Sequence, residues 1–569
     1  MAESGKFQLK TEALGALPLV NHFLERLALE RLLARYLPYS DFRILLPSAK
    51  AVGLVVRNLV IYHEPLYALE EWARRFPAEL LGLAACHLDL INDDRVGRSL
   101  LNLFLADRAS MLTELVLGAV REFDIDVSQF HNDSTSITFS GSYRGEGSRL
   151  GKPVASITFG YNKDHRPDLR QLIWILTISA DGAVPIAFRV ADGNTHDDRT
   201  HIETWEGLLA LAGRPDFLYV ADCKLANREN LDHIVTRGGR FVCVLPRTRS
   251  EDRWFRQWQC DHVPSWQEVC RQPSRRSGEP DDVWSACPSP IPSAEGYRIV
   301  WVRSSAMLKR DTEVRQARIE RGIAAIEALA AKLAGPRPRQ RTRASVDAAA
   351  TSALIQAGAE RWVDYRVTEA VEATFRQERR GSPAQETRYR RLTRMRFQLS
   401  WVVRQDVVVA DAASDGCFPL ITNDLAMTEA EVLAAYRYQP RLEKRHALLK
   451  SGLLVTPMFL KDPARVEGLL CCYFIALLVH ALIERELRRA MAATNTEELA
   501  LYPEDRTCRA PTASRVLEMF AHVSRYRLFQ DGQLVQTFAP ELTPLQLKIL
   551  DLLGIPVATY RGEADALAV

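Results

Sequence analysis

Residues 127–142 read VSQFHNDSTSITFSGS, and the reading of this stretch decides the fold. Phenylalanine, isoleucine and threonine crowd around a single acid, Asp133, and the run ends at Gly141, the composition of a strand closed by a turn residue. Four more runs of the same kind follow: QLIWILTISA (171–180), AVPIAFRV (183–190), FLYVAD (217–222) and RFVCVLP (240–246). Between them, HDDRTHIETWEGLLALA (196–212) and NRENLDHIVTRG (227–238) carry helical spacing. The order is β-β-β-α-β-α-β.

Three consecutive strands followed by two helix crossovers predict a mixed sheet of the RNase H-like kind, an α/β class. Working outward, residues 1–122 show helical periodicity, as in VNHFLERLALERLLARYL and SLLNLFLADRASMLTELVLGAVREF, and predict an all-helical N-terminal domain. The core then occupies 123–247 and resumes over 415–495. Between the halves, 248–414 changes character. Turn-rich RQPSRRSGEPDD and CPSPIPSAEG, a long helix pattern DTEVRQARIERGIAAIEALAAKLAG and strand-like FQLSWVVRQDVVVAD read as a large inserted α+β domain. DGCFPLITN reads as a return strand into the core, and 496–569 as a helical C-terminal region.

The 569 residues, 47% of them hydrophobic, suffice for several cores. Net charge is only +3, so any nucleic-acid contact must come from local basic patches. Ten cysteines without a CxxC pair fit a reducing cytoplasm. Cys260, His262, Cys270 and Cys287 are too irregularly spaced for a zinc site. The start lacks a basic and then apolar leader pattern. GLLCCYFIALLVHALI (468–483) is apolar but short and contains His480, which predicts a buried core helix rather than a membrane span.

Three acids stand in chemically demanding places. Asp133 lies within a strand, where a buried carboxylate is costly unless paired, hydrogen-bonded or metal-bound. Asp222 ends the run FLYVA, at a strand's carboxyl edge, ahead of Asn227 as cap of the next helix. Glu443 lies in YRYQPRLEKRHALLKSG (436–452), where Pro440 predicts a fresh helix start and Gly452 its stop. Glu443 and Lys450 are seven apart and are expected on one helix face. Asp192, Asp197 and Asp198 read as turn and helix-cap residues, His131 and His165 as structural histidines. RQERRGSPAQETRYRRLTRMRFQLSW (376–401) interleaves Arg390, Arg391 and Arg394 with aromatics, as a DNA-contacting strand or a solvated hairpin would. GPRPRQRTRAS (335–345) reads as a linker.

The blocks INDDRVGRSLLNLF, HNDSTSITFSG, GYNKDHRPDLRQL, ADGNTHDDRTHIETW, VADCKLANRENL, GGRFVCVLP, YRYQPRLEKRHALLKSG and YPEDRTCRAPTASRVLEMF occur in that order. Together they resemble DDE transposases of bacterial insertion sequences, of the IS sixteen-thirty-four type within the IS-four superfamily. The resemblance implies a catalytic triad of Asp133, Asp222 and Glu443 holding two Mg²⁺ ions, with Mn²⁺ expected to substitute. It also implies cleavage at terminal inverted repeats, joining of the 3′-hydroxyl to target DNA, a homodimer in the active complex and a place in the bacterial cytoplasm, with no membrane partner. In the third family block, tyrosine, arginine, glutamate and lysine fall on Tyr436, Gln439, Glu443 and Lys450. The arginine slot is thus glutamine, and Arg437, Arg441 and Arg445 stand nearby as DNA contacts. The insert is implied to help handle the element's end. A noncatalytic DNA-binding protein on the same scaffold, or a nuclease that cuts without joining, are the alternatives.

Overall fold

In the computed structural model the described residues are 6–38, 45–141, 143, 147–274, 278–456, 458 and 460–561. The chain divides into two units, one of Met1–Cys243 with Ala434–Val569 and one of Val244–Leu433.

The first unit opens with strand β1 (Phe7–Ala13) and then helices α1 (Leu17–Arg26), α2 (Leu29–Tyr36), α3 (Ser48–Ile61), α4 (Leu69–Ala73), α5 (Asp93–Leu105) and α6 (Arg108–Phe123). Asn92 and Asp107 cap α5 and α6 by accepting from the amides of Arg95 and Ser110, satisfying donors that have no helical partner. The helical N-terminal region is as expected apart from β1.

The sheet follows: β2 (Gln129–Phe139), a small hairpin of β3 (Gly147–Arg149) and β4 (Lys152–Val154), then β5 (Arg170–Ser179), β6 (Pro185–Asp192), α7 (His201–Ala212), β7 (Leu218–Ala221), α8 (Arg228–Thr236) and β8 (Arg240–Val244). In space the order is β6-β5-β2-β7-β8. β2, β5 and β6 pair antiparallel, whereas β2–β7 and β7–β8 are parallel. The predicted element sequence is therefore observed as a mixed sheet. β5 is buried from Gln171 to Ser179, which is why it reads as an unbroken apolar run rather than an alternation.

The second unit contains α9 (Ser250–Asp261), β9 (Gln267–Gln272), β10 (Asp282–Pro288), β11 (Arg298–Ser304), α10 (Ser305–Ala334), α11 (Arg343–Ala357), β12 (Val363–Gln377), β13 (Tyr389–Val403), α12 (Gln405–Ala412), β14 (Cys417–Thr422) and most of α13 (Glu429–Arg437). β9, β10, β11 and β14 form antiparallel neighbours. β12 and β13 make a long hairpin whose base packs Val363, Val367, Phe397 and Leu399 onto Ile319, Ile326 and Leu354 of α10 and α11. One expectation is corrected here. RQDVVVAD is helix α12, its β-branched run overridden once the chain turns at Arg404. DGCFPLITN forms the expected strand, β14, which runs antiparallel to β11.

The first unit resumes with α14 (Gln439–Ala447), a π-helical turn (Leu448–Gly452), α15 (Pro463–Ala493), α16 (Ala513–Met519), β15 (Ser524–Gln530), β16 (Gln533–Phe538) and α17 (Pro544–Leu552). β1 pairs antiparallel along β15, and β15 with β16, so neither end region is purely helical. α15 is long and apolar enough to cross a membrane by composition, yet its apolar window is 100% buried. Phe474 of α15 stacks on Phe188 of β6 at 4.8 Å. At Gly468 a Cβ would meet the Leu100 carbonyl at 2.2 Å, so glycine permits the close crossing of α15 over α5.

Candidate active site

In the parallel pair, Gln129 stands opposite Leu218, Phe130 opposite Tyr219 and His131 opposite Val220. Two residues further on come Asp133 and Asp222. The register thus carries Asp133, within β2, and Asp222, one residue past the end of β7, toward one level. β7 stops at Ala221 while β2 continues to Phe139, so the pair sits where the parallel strands end, beside the reversal of strand order that commonly forms sites in such sheets.

Their electrostatics bear the marks of that proximity. Burial pushes the Asp133 carboxyl up to about 6, the Asp222 charge adds to the rise, and Lys163 opposes it. Burial likewise raises Asp222, with Asp197 adding and the Lys224 amide opposing. Each carboxylate accepts one backbone amide, Asp133 from Ser134 at 2.7 Å and Asp222 from Lys224 at 2.9 Å.

Two residues outside the predicted triad enter the same cluster. The Lys163 Nζ lies 3.4 Å from Asp133 Oδ1 and 3.0 Å from Asp197 Oδ2, and donates to the Ser134 carbonyl at 2.7 Å and hydroxyl at 2.8 Å. Ser134 Oγ donates in turn to Asp197 Oδ1 at 2.6 Å. Burial acts against the charged form of Asp197, but Ser134 and Lys163 outweigh it and hold the carboxyl below its usual range. Asp197 is therefore neither simple turn nor cap. The backbone supports this placement, since a Cβ at Gly160 would meet the Gly193 carbonyl at 2.0 Å. The segment leading to Lys163 can approach the end of β6 only through glycine.

Helix α14 lies over the face of β2 that carries His131 and Asp133. Gln439 Oε1 pairs with His131 Nδ1 at 2.9 Å, and Gln439 Nε2 donates to the Asn132 carbonyl at 3.0 Å. Burial pushes His131 down to about 4, so it is a neutral structural imidazole, as expected. Further along, Arg445 donates to the carbonyls of Ala183 and Gly182 and pairs with Glu484 at 3.0 Å. The helix is thus fixed at two points. Directly after Arg445, His446 Nδ1 comes to 4.0 Å from Asp133 Oδ2. Burial pushes His446 down to about 3, with Lys163 and Lys450 contributing, so it is neutral. Glu443, one turn earlier, is exposed. The Tyr436 hydroxyl is pushed up to about 12 by burial and by the charges of Asp222 and Glu443, which puts both acids in its surroundings.

Several expectations change at this helix. Pro440 is its second residue, after Gln439. Beyond Ala447 the winding widens into the π turn, which breaks the two-turn spacing assumed for Glu443 and Lys450. Lys450 instead pairs with both oxygens of Asp164 at 2.7 Å. Arg445, expected to meet DNA, is 5% exposed and committed to internal acceptors, so it is a structural residue. Arg441 is exposed and Arg437 half-buried. Among the described residues no group of three or more His, Cys, Asp or Glu side chains is gathered for a metal ion, which includes the set around Cys260 and His262. In the second unit, the β12–β13 register sets Arg390 opposite Arg376 and Arg394 opposite Glu372 on one face of the hairpin, and Arg391 opposite Phe375 on the other. Arg390, Arg391 and Arg394 are all exposed, and Arg394 also donates to the Pro336 carbonyl.

Residues 9–117 match the family model of a domain of unknown function, DUF4277. No curated protein matches the chain. The DUF4277 match runs from within β1 into α6 and so ends before the sheet and its acids begin. Sequence reasoning missed Lys163 and Asp197 as members of the cluster, although GYNKD and NTHDD both lie in blocks that carry the transposase resemblance.

Proposed function

We propose that this chain is a DDE-type DNA transposase that binds the ends of an insertion sequence, cleaves phosphodiester bonds there and joins the 3′-hydroxyl ends to target DNA. The observation that carries the reading is the approach of Asp133, within β2, to Asp222, just past the end of the parallel neighbour β7, with the helix bearing Glu443 packed over β2. The sheet order, an antiparallel β2–β5–β6 meander on one side of β2 and the parallel strands β7 and β8 on the other, is what an RNase H-like core would have.

The donor set suits Mg²⁺ or Mn²⁺. It consists of hard carboxylate oxygens, and the raised Asp133 carboxyl next to Asp222 is a pair whose repulsion a cation relieves. Asp133 and Asp222 would hold the ions, with Glu443 as the third acid. When bound, they supply Lewis-acid stabilisation of the attacking and leaving oxygens of a phosphodiester.

The chain's own residues do the rest. Gln439 and Arg445 fix α14 over β2, so Glu443 is delivered from a rigid element. His446, kept neutral by burial, adds no positive charge beside Asp133. Arg441 on the exposed side of α14 and Arg390, Arg391 and Arg394 on the hairpin present cations to DNA phosphates. A homodimer handling two DNA ends is part of this reading.

Incubating the full chain with Mg²⁺, labelled end DNA and a target plasmid tests it. Joined products support a transposase, cleaved but unjoined ends support a nuclease, and intact DNA contradicts both.

A further inference from the structure

The geometry points to Lys163 as a built-in counter-ion of the carboxylate centre, a tethered ammonium that competes with the divalent ion for Asp133 and so sets how tightly the centre binds metal. The inference rests on the metal-dependent reading above and deepens it.

The ammonium lies between two acids, 3.4 Å from Asp133 and 3.0 Å from Asp197. It is not held by Asp133 alone. Ser134 gives it two oxygens, at 2.7 and 2.8 Å, and Asp197 is itself fixed by the Ser134 hydroxyl at 2.6 Å. Lys163 can therefore give up Asp133 and keep Asp197 and both Ser134 contacts. Burial acts against its charge, but the surrounding acids outweigh burial and keep it protonated. Its neighbour Asp164 is clamped by Lys450, and Asn162 turns the backbone by accepting the amides of Asp164 and Arg166. The loop is thus tied down on both sides of the lysine.

A fixed positive charge next to two metal-binding carboxylates weakens cation affinity and stabilises the acids when no cation is there. Lys163 is a positioning residue in this account, and its effect is read in binding rather than in turnover. The probe is Mn²⁺ alone, titrated by electron paramagnetic resonance into full-length wild type, Lys163→Met, Lys163→Gln, Lys163→Arg and Asp133→Asn, with melting temperatures taken without metal and at saturating Mn²⁺.

Both neutral variants are expected to bind Mn²⁺ about tenfold more tightly than wild type, to melt lower without metal and to gain more from it. Lys163→Gln keeps a hydrogen-bond donor for Ser134 and serves if Lys163→Met does not fold. Lys163→Arg is expected within about twofold of wild type, since the charge remains. Unchanged or weaker Mn²⁺ binding in the neutral variants overturns the inference while leaving the metal site standing. Equal Mn²⁺ binding by wild type and Asp133→Asn overturns the metal site, and this inference with it.

Discussion

Gln439 on α14 and His131 on β2, 308 positions apart in the chain, are joined by a buried 2.9 Å hydrogen bond two residues from Asp133. The amide also donates to the Asn132 carbonyl, so one side chain ties the helix carrying Glu443 to the strand carrying Asp133. Glutamine at the position where the resembling family has arginine is therefore a clip between elements. With Gln439 Oε1 accepting, His131 carries its hydrogen on Nδ1, and Nε2 is left to accept from Gln129 at 2.8 Å.

Replacing Gln439 by leucine leaves a buried imidazole donor and a buried carbonyl without partners. The expected loss is about 2 kcal/mol, read from urea unfolding, together with a fall in DNA cleavage larger than the unfolded fraction explains. A stability change below about 0.5 kcal/mol would show that the clip carries no weight.

The raised Asp133 carboxyl gives a signed pH dependence. Its folded value of about 6 exceeds the unfolded value of about 4, so between these pH values the native state holds a proton that the unfolded chain has lost. Stability falls as pH rises through that window. Asp133→Asn removes this penalty and is expected to be more stable than wild type by about 1–2 kcal/mol at pH 8, with the advantage gone near pH 4. An asparagine variant that is less stable at every pH would contradict the assignment.

Arg445 and Arg441 are separated by one turn and by entirely different surroundings. Arg445→Met takes the nearer cation from Glu484, which keeps Arg488 at 3.6 Å, and leaves the Ala183 and Gly182 carbonyls without this donor; it is expected to cost about 1–3 kcal/mol in chemical denaturation. Arg441→Ala is expected to leave unfolding unchanged and to weaken DNA binding. Equal effects of the two on stability would overturn this division.

On the hairpin, Arg390→Ala is expected to lower the slope of log affinity for end DNA against log salt by about one. A fluorescence anisotropy series over salt measures this directly. An unchanged slope would remove that face from the DNA interface.

Much of the sheet was legible because its strands are apolar runs ended by turn residues, and Asp133 and Asp222 stood out against that background. Other features depend on chain segments that no local window joins. β1 is a strand because Phe7–Ala13 pairs along Ser524–Gln530. Asp197 belongs to the cluster through Ser134, 63 positions away, and before α7 its local context reads equally well as a cap. Lys163 left a faint signal, since a glycine two residues before its neighbouring asparagine is required by the close approach of Gly193. The π turn after Ala447 has no compositional mark, so the face shared by Glu443 and Lys450 was misread.

The central claim is that Asp133, Asp222 and Glu443 act as one centre on DNA. Its most direct test is the single-turnover rate of Mg²⁺-dependent cleavage of labelled end DNA by Asp133→Asn, Asp222→Asn and Glu443→Gln proteins shown to be folded. Each is expected to fall by about a thousandfold or more, with the pairwise combinations no slower than the single variants. Cleavage at the wild-type rate in any one of the three would contradict the account.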